Sequence, residues 1–290
     1  MENFKKIIRI ISELHKFRIT FSVTLTTLAG FTLTAGTIDN RIFLPLLGIF
    51  FLSSGAAAFN EYQERDMDAR MERTRKRPIP SGSIKASTVL VISLPEIVAG
   101  TVLVYIGSGF TAALLGFMAF VWYNVIYTPL KKLSPFAVIP GSVIGAIPPM
   151  VGWVAGGGSL LDPKLFVLAF FFFMSQVPHF WLLLLRYGDD YDAAGFPVIN
   201  KILNNTQIKR VTFVWIVATS VNIVLLVIVG LFQTLFFKII ILLAAIWLVF
   251  IFSGLLKKSE EKFNAVRYFM LLNIVLLVII LSMVIDPLLY

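Results

Sequence analysis

The stretch IFLPLLGIFFLSSGAAAFNEYQERDMDARMERTRKRPIPSG, residues 42–82, changes character at Asn60. Its first 18 residues carry no charge, whereas the remaining 23 hold five carboxylates and six Lys or Arg. An uncharged run of about 18 residues can cross the hydrocarbon core of a bilayer as a helix. The charge that follows then marks where the chain leaves the membrane.

The rest of the chain has the same character. Of 290 residues, 58% are hydrophobic and 14% charged, against about 25% charged in soluble domains, and the mean hydropathy is +0.88. A chain in a bilayer needs polar groups only at its ends and in functional cavities, so the charges that remain are informative. Cysteine is absent, which excludes disulfides, thiolate metal sites and a Cys nucleophile. Any metal must use oxygen ligands or the two histidines. The N-terminal MENFKKIIRIISELHKFR, residues 1–18, is basic and amphipathic. It lacks the apolar core and small-residue cleavage site of a signal peptide and predicts an interfacial helix.

Apolar windows fall near 19–36, 42–60, 87–107, 109–127, 136–156, 165–185, 211–232, 234–256 and 268–288. They predict an all-α integral membrane protein of nine transmembrane helices. The least marked division is GLFQTLFF, 230–237, where only Gly230 and Gln233 punctuate a long apolar run. With the N-terminus cytoplasmic and the C-terminus outside, 22 of the 25 Lys and Arg lie on cytoplasmic segments, and only Arg41, Lys164 and Lys238 fall elsewhere. A missed or surplus helix would erase that asymmetry. Basic loops facing an anionic leaflet account for part of the +9 net charge, so the charge does not imply nucleic-acid binding. One membrane domain over 1–290 is expected, with cytoplasmic active-site loops at 61–86 and 186–210.

Asn60, Glu64 and Asp68 are spaced i, i+4, i+8, which keeps an amide and two carboxylates on one helical face. Asp66 lies off that stripe unless the helix unwinds; it is either a further ligand or a partner for nearby arginines. Clustered carboxylates near a membrane require a cation, and Mg²⁺ suits carboxylate, amide and phosphate oxygens. Arg73, Thr74, Arg75, Lys76 and Arg77 follow and would suit a diphosphate bridged by that metal. The plainer reading is a solvated loop in which the acids pair with Arg65, Arg70 and Arg73. A second cluster, RYGDDYDAAGFP, places Arg186, Asp189, Asp190, Tyr191 and Asp192 after span six on the same side. Between the two, YNVIYTPLKK ends span four with Lys131 and Lys132, which serve as orientation charges or reach a phosphate. Glu96, after Pro95 in span three, is a cavity residue or a partner for a neighbouring helix. His15 lies in the interfacial segment. Gly145, Pro148 and Pro149 predict a broken or closely packed span five.

This arrangement resembles the UbiA-type intramembrane prenyltransferases, and within them the protoheme IX farnesyltransferase (heme o synthase) branch. NEYQERDMDARMERTRKRPIPSG is similar to its first motif, and YTPLKK, GAIPPMVGW and QVPHFWLLLLRYGDDYDAAGFP agree in order and spacing over about residues 60–198. Two features depart from the pattern. The second cluster lacks two Asp four apart, and YTPLKK is one residue tighter before its basic pair.

The resemblance implies helices around a central cavity open to the cytoplasm, in a bacterial inner membrane. It implies farnesyl diphosphate as donor and heme b as acceptor, giving heme o, with heme a synthase or a terminal oxidase assembly downstream. Mg²⁺ would be held by Asn60, Glu64, Asp68, Asp189 and Asp190, with Asp66 open, while Arg73, Arg77, Lys131, Lys132 and Arg186 share the diphosphate charge. His179 would ligate or orient heme, or hydrogen-bond in packing. Phe residues such as FFFF, 170–173, would line a cavity or face lipid. Two other readings compete: the same chemistry on a quinone precursor or chlorophyllide, and an ion-coupled transporter. A transporter would more often show midplane charges and inverted repeats.

Overall fold

The computed structural model describes residues 2–257 and 264–290. Lys258 and Lys262, counted above among the basic residues, lie outside them. Every regular element among the described residues is helical. This is what a bilayer demands of a chain that does not close into a barrel, since each backbone amide must find its partner within the segment.

The first helix, α1 (Glu2–Leu14), turns its apolar Ile7, Ile8 and Ile11 outward and buries Leu14, as an interfacial helix does. An elbow at His15 and Lys16 leads into α2 (Phe17–Ala35). Next come α3 (Phe43–Asp68) and α4 (Ala86–Phe120). A π-helical segment, Val121–Tyr127, carries α4 into the short α5 (Thr128–Leu130). The chain continues through α6 (Val138–Gly141), α7 (Val143–Ala155), α8 (Pro163–Ala193), α9 (Asn205–Ile228), α10 (Leu235–Phe252) and α11 (Ala265–Ile285).

Among the described residues, seven segments are long and apolar enough to cross a membrane, including Ala86–Leu130, with 45 residues. That segment contains two of the expected spans. They meet at Gly109, whose φ of 79° and ψ of −175° break the helix, a conformation glycine adopts without a Cβ clash. α2 is not among the seven because six threonines dilute its hydropathy. The division within GLFQTLFF is present. Gly230 takes φ 73° after α9, and the buried Asp286 accepts from the amides of Gln233 at 2.6 Å and Thr234 at 2.9 Å before α10 begins.

Lipid tails give no hydrophobic drive between spans, so helices associate through close packing of small residues. α3 and α4 run antiparallel on such contacts. A Cβ at Gly55 would lie 2.8 Å from the Ser93 carbonyl, and one at Gly48 would lie 2.8 Å from the Gly100 carbonyl. α2 packs on α7 the same way, with Gly152 against the Thr27 carbonyl and Gly30 against the Pro149 carbonyl. Pro148 and Pro149 therefore mark close packing. Phe171 and Phe172 are buried in the core while Phe170 faces outward.

The helices also extend past the expected loop boundaries. α3 stays helical to Asp68 and α8 to Ala193. Both acidic clusters thus sit largely on helix ends rather than in the loops 61–86 and 186–210.

Candidate active site

The last two turns of α3 bury four polar side chains: Asn60, Glu61, Glu64 and Asp68. A buried carboxylate needs a partner, and each member of the Asn60, Glu64, Asp68 stripe has a different one. Lys16, from the elbow before α2, donates to Asn60 Oδ1 at 2.9 Å. Lys131, just past α5, places Nζ 2.6 Å from Glu64 Oε1. Arg77, in the loop after α3, places Nη1 2.6 Å from Asp68 Oδ2. The amide, the two acids and the three cations thus converge on one helix end.

The π-helical segment brings Lys131 there. It is locked to α3 by a reciprocal amide pair in which Gln63 Nε2 donates to the Asn124 carbonyl at 2.8 Å and Asn124 Nδ2 donates to Gln63 Oε1 at 3.0 Å. Asn60 Nδ2 also donates to Thr128 Oγ1 at 3.0 Å, and Thr128 in turn donates to the Tyr123 carbonyl at 2.9 Å. π-helical turns often occur at functional sites, and here the turn fixes which lysine enters. Lys131 meets Glu64, whereas Lys132 is exposed and donates to the Gln63 carbonyl at 3.2 Å.

The cations respond to burial differently. Burial pushes Lys16 down to about 8 with help from Arg77, against the opposing pull of Glu64 and Asp68. Burial also disfavours the Lys131 charge, but the Glu64 carboxylate beside it holds that ammonium above its ordinary value. Arg77 likewise overcomes burial through Asp68 and is raised.

Asp66 is not brought into this group. Its side chain is 79% exposed and approaches only Arg65, at 3.8 Å. The helix stays regular through Asp68, so Asp66 keeps the off-stripe direction that its spacing gives it.

The second cluster meets the first through backbone. Asp190 accepts from the amides of Glu72 at 2.7 Å and Arg73 at 3.3 Å. Arg73 donates to the Tyr191 hydroxyl at 3.1 Å and lies over the rings of Tyr187 and Tyr191. Asp189 and Arg186 are exposed, and Arg186 lies on Tyr187. Asp192 pairs with Lys201 at 2.6 Å. Replacing Asp190 by Ala should free two amides and raise hydrogen exchange at Glu72 and Arg73 by about tenfold or more. Exchange mass spectrometry would detect the change, and unaltered exchange would show that Asp190 is not the tie.

His179 is not drawn to the acids. On α8 it packs against Phe269 of α11, with ring centroids 4.4 Å apart. Sequence reasoning missed Lys16, because nothing local to it signals that a tertiary elbow carries its ammonium to a residue 44 positions away.

As a donor set, Asn60, Glu64 and Asp68 fit a hard divalent ion. Among the described residues no three His, Asp or Glu lie close enough to form a metal cluster by themselves, and Lys16, Lys131 and Arg77 occupy the donors instead. A polyanion entering here would meet three cations, and a divalent ion would meet an amide and two carboxylates.

Comparison with known proteins places the fold and the family. Residues 23–275 match the UbiA prenyltransferase family. The chain is 32% identical over 281 residues to the protoheme IX farnesyltransferase of Oleidesulfovibrio alaskensis, covering 97% of each. It is 31% identical over 267 residues to that of Aquifex aeolicus, covering 91% of this chain and 90% of the relative. The fold matches a solved digeranylgeranylglyceryl phosphate synthase with a TM-score of 0.79, at 17% identity and full coverage of both chains. It also matches a UbiA homolog from Archaeoglobus fulgidus bound to GPP and Mg²⁺, with a TM-score of 0.73 at 12% identity, covering 97% of this chain and all of that one. With this fold and a family match over most of its length, the chain belongs to the UbiA prenyltransferase family.

Proposed function

We propose that this multi-pass membrane protein transfers the farnesyl group of farnesyl diphosphate to a vinyl group of heme b, with addition of water, to give heme o. The observation that carries the reading is the end of α3, where the buried Asn60, Glu64 and Asp68 meet Lys16, Lys131 and Arg77, a set suited to receive a metal-bound diphosphate. The protoheme IX farnesyltransferases that align with the chain along nearly its whole length support the choice of donor and acceptor.

In this reading, Asn60, Glu64 and Asp68 would hold Mg²⁺, and Asp189 and Asp190 would offer further oxygen donors from α8. When bound, the metal withdraws charge from the departing diphosphate. Lys16, Arg77 and Lys131 turn from their acids to the phosphate oxygens, and Arg73, Lys132 and Arg186 add positive charge at the mouth. The allylic C1–O bond breaks with its electron pair leaving on the diphosphate. A heme vinyl carbon bonds to C1, and water adds to the resulting cation and loses a proton. Excluding water from the farnesyl chain until capture prevents simple hydrolysis. This chemistry fits nine spans with the N-terminus cytoplasmic, the C-terminus outside and a central cavity open to the cytoplasm of a bacterium. The bias of 22 basic residues to one side supports that orientation.

The test is to incubate reconstituted protein with heme b, farnesyl diphosphate and Mg²⁺ and to seek the hydroxyethylfarnesyl product by mass spectrometry. The expected outcome is heme o, formed only with metal present. Prenylation of a quinone precursor in its place would overturn the heme assignment.

A further inference from the structure

Lys16 reaches Asn60 from an unfavourable backbone conformation. Its φ of 46° and ψ of 49° are left-handed, and it is the one non-glycine residue with positive φ among the described residues. For a residue with a Cβ this conformation is unfavourable, and it persists only where its surroundings over-determine it.

The surroundings that do so converge on the preceding residue. His15 is buried, and its Nδ1 lies 2.8 Å from the Ile11 carbonyl in α1. Its Nε2 lies 3.0 Å from Glu96 Oε1 in α4. The His15 carbonyl accepts from Thr20 Oγ1 in α2 at 2.8 Å. One residue is therefore tied to three helices. Nδ1 faces a carbonyl and therefore carries a proton, and Nε2 stands at ion-pair distance from Glu96. Glu96 is itself a carboxylate within a membrane helix whose second oxygen has no partner. The diphosphate chemistry proposed above has no use for it.

We infer that the His15–Glu96 pair is a latch that positions Lys16. It fixes the left-handed elbow between α1 and α2, and thereby holds the Lys16 ammonium at the diphosphate site. The inference rests on the reading of that site as a diphosphate receptor, but not on farnesyl or heme as the substrates. His15 and Glu96 are positioning residues that act only through Lys16.

Inorganic pyrophosphate with Mg²⁺ is the probe, because it needs neither substrate, and its binding to the full-length protein in nanodiscs is read by calorimetry. His15→Ala should weaken binding by roughly tenfold, the worth of one hydrogen bond to a charged group. Lys16→Met should weaken it at least as much, and adding His15→Ala to Lys16→Met should change nothing further. His15→Gln, which keeps an N–H donor toward Glu96, should recover most of the loss. A His15→Ala effect of equal size in the Lys16→Met background would show a general structural role and overturn the latch. So would wild-type affinity in His15→Ala, or no pyrophosphate binding by the wild type. If His15→Ala does not fold, Glu96→Ala opens the same pair from α4 and carries the same cycle. Tight pyrophosphate binding without heme o formation would instead fault the substrate assignment and leave the latch standing.

Discussion

Asp68→Asn should lower single-turnover farnesyl transfer by on the order of 10²–10³-fold while the protein remains folded. The side chain is buried and lies 2.6 Å from Arg77, so it meets both the proposed metal and a cation that must move to the phosphate. Asparagine keeps the volume and still accepts from Arg77, which spares the fold. It removes the negative charge that gives a divalent ion its affinity. Asp68→Ala should lose turnover too, and also stability, because Arg77 is left partly buried without its acid. Asp66→Ala is the contrast. Its side chain is 79% exposed and should leave the rate near that of the wild type. Equal losses at 66 and 68 would refute the placement of the metal on the stripe.

Gly152→Ala should destabilise the protein by roughly 3 kcal/mol or more, at the upper end of what overpacking costs. A Cβ there would overlap the Thr27 carbonyl oxygen, and the Phe31 amide would be only 2.9 Å away. Both are backbone atoms of α2, which can yield only by moving the whole helix. Gly145→Ala offers a contrast, since its Cβ would meet Cγ of the Gln176 side chain at 2.7 Å, where a change of rotamer rather than movement of a helix relieves the contact. Thermal unfolding in detergent should show a large drop for the first and a small one for the second. Similar midpoints would mean that the α2–α7 contact is looser than its geometry implies.

Much of this was readable in the chain because hydropathy and charge follow directly from residue type. The run ending at Phe59 and the charge beginning at Glu61 mark the end of one span, and the spacing of Asn60, Glu64 and Asp68 is a property of any helix. Two spans read as separate, 87–107 and 109–127, meet in the structure at Gly109 with no loop, because one glycine turns the chain where a linker would be expected. What could not be read depends on tertiary direction. Lys16 resembles any interfacial lysine until the elbow is known. Asp190 reads as a metal ligand, yet it also caps two amides of a loop 117 residues away. His179 is polar in a membrane helix, which flags function, but only the neighbouring helix reveals Phe269 against its ring.

Lys131 and Lys132 are adjacent and chemically identical, and no local rule chooses between them. The choice is made upstream, by the wide turn at Val121–Tyr127. A π-type turn holds more residues than the α-helical repeat, and each residue of difference rotates everything after it by about 100°. The turn therefore acts as a gear between the membrane helix and the active-site end, setting angular phase rather than supplying chemistry. In this chain the phase set by that turn brings Lys131 to Glu64 and leaves Lys132 outside.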